Sequence, residues 1–122
     1  MKIFVILGAV FGALSVAAGA FGAHALRSQL EPRMLEVFET ATRYQMYHAL
    51  ALFAAAWLIQ QTQSQAAQMA GWAFVAGILL FSGSLYAMIF TGVRGLGAIT
   101  PLGGVAFMVG WIGLAVAALK LR

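Results

Sequence analysis

Charge is what this sequence has least of. Ten of its 122 residues are charged, or 8%, whereas a water-soluble domain of this size carries roughly 25% to keep its surface wet. With 63% hydrophobic residues and a mean hydropathy of +0.95, most of the exterior must face hydrocarbon. Cysteine is absent, which excludes a disulfide framework, a thiolate metal site and a cysteine nucleophile. Neither CxxCH nor HExxH spacing occurs, and no serine sits in a nucleophile elbow. The net charge of +4 is spread too thinly for a nucleic-acid footprint, which needs a clustered basic face. Two histidines, three glutamates, the arginines and the backbone remain for polar chemistry.

Four stretches have the length of a membrane helix, about 20 mostly apolar residues. They are Ile3 to Ala23, a run centred on Tyr44 to Ile59, Met69 to Phe90, and Leu102 to Leu119. In lipid all backbone groups must bond within the segment, so helices are the expected form. The fold expected is all-α: a four-helix transmembrane bundle in one domain over residues 1–122, with helices near 3–24, 32–60, 69–90 and 101–120. Lys2, the apolar run and Ala23-His24-Ala25 imitate a secretory signal with its cleavage site. The run of 21 residues is nevertheless longer than the roughly 7–15 of a signal core, and is expected to stay as the first span.

The second segment differs from the others. Its mostly apolar part, Tyr44 to Ile59, is 16 residues, short for a span, but Pro32 suits the first turn of a helix and no breaker follows before Gln60. A single helix of about 28 residues, about 42 Å long, is expected. Its first turns would lie in or above the headgroup region as an amphipathic extension. Leu35, Phe38, Thr42 and Gln45 share one side of it, and Glu36, Glu39 and Arg43 another. Gln60 to Gln68 reads as a polar loop flanked by Trp57 and Trp72 at belt depth. Thr91 to Thr100 is glycine-rich and carries Arg94; Pro101 then opens the last helix with Thr100 as its expected N-cap.

Small residues mark the packing faces. Gly8, Gly12, Ser15, Gly19 and Gly22 form one stripe on the first helix, and Gly103, Gly110 and Gly113 a weaker one on the fourth, a pattern that lets helices approach closely in lipid. The first stripe faces either inward or a second copy. Orientation is balanced: Lys2, Lys120 and Arg122 lie at one end, and Arg27, Arg33, Arg43 and Arg94 at the other.

Six of the ten charges, Arg27, Glu31, Arg33, Glu36, Glu39 and Arg43, fall between the first two apolar runs. Parity places this segment on the same membrane face as Arg94 and the start of the fourth helix. The candidate ligand, anion or lipid site is therefore His24, Arg43, His48, Arg94, Thr100, Gly103 and Gly104, with Arg27, Glu36 and Glu39 secondary. His48 lies within the apolar part, where an ionisable side chain is a functional candidate by default. At similar depth, His24 and His48 would ligate haem or, with Glu39, a divalent metal; hydrogen bonding to a neighbouring helix is the simpler role. Arg94 with the helix start at Thr100-Pro101-Leu102-Gly103-Gly104 would cradle an anion, or Arg94 would reach lipid phosphates from a tight turn.

The stretches GAFGAHAL (Gly19 to Leu26), YQMYHALAL (Tyr44 to Leu52), FSGSLYA (Phe81 to Ala87) and TGVRGLGAITPLGGVAF (Thr91 to Phe107) resemble the YgdD-like small membrane proteins, the domain of unknown function 423 family. The resemblance runs from Ile3 to about Leu119, varying at Gln60 to Gln68. It implies a multi-pass protein of the bacterial inner membrane with four spans, and no activity, substrate or catalytic residue.

The functional expectation is a non-enzymatic membrane protein that binds a lipid, a small anion or a partner through one polar face, with no cofactor. Its partners would be membrane lipids, a second copy or another membrane protein. A small transporter or channel is the alternative, weakened because no carboxylate lies in the apolar runs; a haem or metal protein through the two histidines is the lesser one.

Overall fold

The computed structural model describes all 122 residues as four long helices and no strand. α1 is Lys2–Leu26, ending in a π-helical turn at Gly22–Leu26. α2 is Pro32–Thr62. α3 is Gln65–Thr91, interrupted by a second π-helical turn at Ile78–Ser82. A 3-10 turn at Arg94–Ala98 leads into α4, Thr100–Ala118.

Local chemistry explains the boundaries. Glu31 is extended (φ −58°, ψ 149°), as the residue before a proline tends to be, and Pro32 starts α2. At the other end Gln63 turns left-handed at φ 51° and its N–H reaches Ile59 O. Ser64 Oγ then accepts from the Ala66 N–H, capping α3 in the way serine favours. The polar stretch Gln60 to Gln68, expected as a loop, is therefore a turn of two residues between helices. Its glutamines carry no charge and no breaker, so both helices run on through it. α3 ends at Gly92, where φ of 73° closes the helix with an N–H to Met88 O. Thr100 is also not the expected cap: it is already helical, and Ile99 precedes the helix without a side-chain cap.

α2 is the axis of the bundle. It runs antiparallel to α1, with Gly8 against Ala49 and Gly22 against Phe38, and packs on α3 and α4 by its other sides. Phe38, Ala41, Gln45, His48, Leu52 and Ala55 are all buried, so the face marked by Phe38 and Gln45 points inward. α1, α3 and α4 are each long and apolar enough to cross a membrane. α2 is less apolar and is the one the others sheathe.

Close contacts between glycine and aromatic rings set the helix spacing. Phe4 packs on Gly71, Phe107 on Gly77, Phe74 on Gly110 and Phe38 on Gly22. Gly103 is tighter still, because its neighbour is the backbone of α3: an added Cβ would lie 2.3 Å from Phe81 N. The stripe on α1 thus faces α2, except at Gly12, where an added Cβ would meet nothing within 4 Å.

Gly103→Ala is expected to destabilise the fold by about 1–3 kcal/mol, the usual cost of overpacking, because a helix backbone cannot swing aside as a side chain can. Gly12→Ala is expected to be neutral or slightly stabilising through helix propensity. Reversible unfolding in mixed detergent micelles measures both.

Candidate functional site

Polar side chains in the bundle interior form ties between helices, and α2 carries most of them. Ser15 Oγ donates to Thr42 O at 2.8 Å, and Gln45 Nε2 donates to Phe11 O at 2.8 Å, joining α1 to α2. Ser82 Oγ donates to Ala41 O at 2.6 Å, and Tyr86 Oη donates to Gln45 Oε1 at 2.8 Å, joining α3 to α2. Ser84 and Thr100 hydroxyls pair at 2.7 Å between α3 and α4. No buried side-chain nitrogen or oxygen lacks a partner, as a low-dielectric interior requires.

His48 belongs to this set. Its Nδ1 lies 2.7 Å from Tyr44 O, so Nδ1 carries the proton. Its Nε2 accepts from Trp111 Nε1 at 3.1 Å, and its ring stacks on Phe107 with centroids 3.5 Å apart. Both nitrogens are committed, leaving no lone pair for a metal. His24 is exposed on the π-turn of α1. Because Gly22 meets Phe38 and Gly8 meets Ala49, His24 lies about ten residues or more along the axis from His48, about 15–20 Å. The two histidines are not at one depth and do not form a ligand pair. No cluster of three His or Glu side chains occurs.

The cradle expected at the start of α4 does not form either. Leu102 and Gly103 N–H groups both bond Ile99 O, the Thr100 hydroxyl pairs with Ser84, and Gly103 is sealed by Phe81. Gly104 is open, but to a lateral groove beside Tyr44, His48 and Phe107, away from Arg94.

Arg94 faces a different partner. It lines a cavity of about 620 Å³ with Arg33, Glu31 and Gln29, over an apolar floor that includes Met34, Val37 and Ile89. This cavity sits between the first turn of α2 and the last turn of α3. Arg43 and Glu39 line a separate hollow of about 280 Å³ between α1 and α2, near Ser15 and Thr42. Glu36 and Arg27 are exposed. The charged end is thus two hollows, and the structure brings together Arg33 and Arg94, a pairing that sequence spacing had not singled out. Gln45, Ser82, Tyr86 and Trp111 were also missed as a group; three of them lie in or beside the motifs YQMYHALAL and FSGSLYA, which were the available signal.

An all-α bundle with an apolar exterior and hydrogen bonds kept inside is a membrane protein. The family model described as Protein of unknown function (DUF423) matches residues 18–104, and the chain belongs to that family. It is 50% identical over 121 residues to the UPF0382 membrane protein YwdK of Bacillus subtilis, covering 98% of each chain. It is 49% identical over 120 residues to a UPF0382 membrane protein of Staphylococcus aureus (strain bovine RF122 / ET3-1), and 50% identical over 120 residues to one of Staphylococcus epidermidis, again covering 98% of each chain. No solved structure matches.

Removing one partner of the Gln45–Tyr86 tie tests the network. Membrane-embedded hydrogen bonds contribute about 0.6 kcal/mol on average and up to about 1.7. A double-mutant cycle of Gln45→Leu and Tyr86→Phe should give a coupling energy within that range. A coupling near zero would show that the tie is not formed in the membrane.

Proposed function

We propose that the protein is a non-enzymatic, multi-pass protein of the bacterial inner membrane that binds the phosphate headgroup of an anionic lipid at the Arg33–Arg94 cavity. All four helices cross in this reading, α2 being carried through by its neighbours. The observation that supports it most is the composition of the cavity: two guanidinium groups at its rim and an apolar floor beneath them. That is the chemistry of a lipid phosphate with its first methylenes. Arginine suits this role because its planar fork pairs with phosphate in a bidentate manner. Glu31 on the same rim would orient the arginines and disfavour a second anion.

A non-catalytic role is supported by the interior hydroxyls and imidazole, whose hydrogen bonds are spent on helix ties. A transport reading has less support, since aromatic rings seated on glycines fill the centre where a pathway would run.

The test is lipid selectivity. Each arginine near an anionic surface contributes about 1 kcal/mol, or about five-fold in preference. In nanodiscs or by native mass spectrometry, wild type should retain phosphatidylglycerol over phosphatidylcholine. Arg33→Ala/Arg94→Ala should lose that preference by an order of magnitude, and Arg43→Ala, in the other hollow, should keep it. Inorganic phosphate at millimolar concentration should not compete if the lipid rather than the free anion is bound. Equal retention in all variants would overturn the reading.

A further inference from the structure

α1 and α3 meet at one end and part toward the other. At the meeting point Phe4 sits on Gly71 and stands edge-on to Trp72, with ring centroids 5.0 Å apart. Beyond Phe11 the two helices diverge over α2 and leave a cleft of about 430 Å³. Leu14, Ala18 and Phe21 of α1 form one wall; Leu79, Gly83 and Phe90 of α3 form the other.

The floor holds Gln45, Ser82 and Tyr86, all engaged with α1, α2 or one another. An occupant therefore needs no polar group. The wall residues Leu14, Phe21, Leu79 and Phe90 are more than half exposed, so the cleft opens sideways, at the depth of hydrocarbon. It runs from Phe11 to Phe21 along α1, about 15 Å at 1.5 Å per residue. That is half of the ~30 Å hydrocarbon core, or the depth of one leaflet, on the side where the arginines cluster.

Size decides the occupant. Averaged over about 15 Å, the cleft's 430 Å³ is a cross-section of about 29 Å², against about 79 Å² for a helix of about 10 Å diameter, so a helix could lie across the mouth but not enter. A single extended hydrocarbon chain is slender enough to enter and long enough to run the length of the cleft.

We propose that this cleft is a binding site for one acyl chain of a phospholipid in the arginine-side leaflet, held as a fixed part of the bundle. The site goes beyond the headgroup reading and does not rest on it. Met88 and Ile89 of α3 face the Arg33–Arg94 cavity while Leu79 and Phe90 face this cleft, so the two lie on different sides of α3.

The experiment uses the full chain in nanodiscs of phosphatidylcholine, a lipid that does not call on the arginines, doped with a phosphatidylcholine bearing a diazirine on its acyl chain. In wild type, cross-links should concentrate on Leu14, Ala18, Leu79 and Gly83, at least five-fold above exposed residues of α4 such as Ile112 and Val109. Gly83→Leu, which fills the cleft, should abolish that concentration. Gly83→Ala should preserve it, since an added Cβ there comes no nearer than 3.9 Å to its closest neighbour. Arg33→Ala/Arg94→Ala should leave it unchanged, which separates this proposal from the headgroup site. Cross-links spread evenly over all exposed apolar residues of wild type would overturn the proposal, whatever the folding of the variants. So would disulfide formation on oxidation between two copies of the chain carrying Leu14→Cys or Leu79→Cys, which would assign the cleft to a second protomer.

Discussion

In hydrocarbon a polar group has no water to fall back on, and the architecture follows from that constraint. Each helix satisfies its own backbone. The threonine hydroxyls of α2 and His48 Nδ1 find carbonyls one turn back on their own helix, but the Ser15, Ser82 and Tyr86 hydroxyls, the Gln45 amide and His48 Nε2 find partners across helix boundaries. Ser15, Gln45, Ser82 and Tyr86 reach carbonyls or side chains on neighbouring helices. A polar group that would be costly alone becomes a positional constraint when its only partner is on another helix. The bundle is fixed in rotation as well as in distance.

This accounts for the position of α2. It is too polar to face lipid along its length, and as the central helix it does not have to. Its Thr42 and Gln45 meet α1 and α3, and its His48 meets α4 through Trp111. The glycine-to-ring contacts supply the complementary term. They bring the axes near enough for hydrogen bonds of 2.6–3.1 Å to close, and they replace the hydrophobic gain that lipid does not offer between helices.

Much of the fold was legible in the sequence. Length and hydropathy located the helices, the small-residue stripes marked packing faces on α1 and α4 without naming their partners, and helical spacing put Phe38 and Gln45 on one side of α2, which the structure turns inward. What was not legible is axial register. Parity says which end of the bundle a residue approaches, but not how far down the axis it lies. His24 and His48 were therefore grouped although the antiparallel pairing of α1 with α2 keeps them apart. Azimuth was equally hidden: Arg43 and Arg94 share an end of the bundle and line different hollows. The Gln60 to Gln68 stretch misled for another reason. Glutamine is polar to a hydropathy scale and a good helix former to the backbone, and the backbone preference prevailed.

The π-turn at Ile78–Ser82 gives α3 two phases. A π-turn accommodates one residue more than the α-helical repeat, and one residue corresponds to about 100° of rotation. Before it Phe74 and Gly77 face α4; within and after it Ser82 and Tyr86 reach α2, while Ser84 still reaches α4 through Thr100. A single rod thereby holds two partners at once, and loss of one residue in that turn would misalign Tyr86 with α2 and Ser84 with α4 while leaving the hydropathy profile almost unaltered. Two chains with nearly identical hydropathy plots can therefore differ in whether their helices interlock at all.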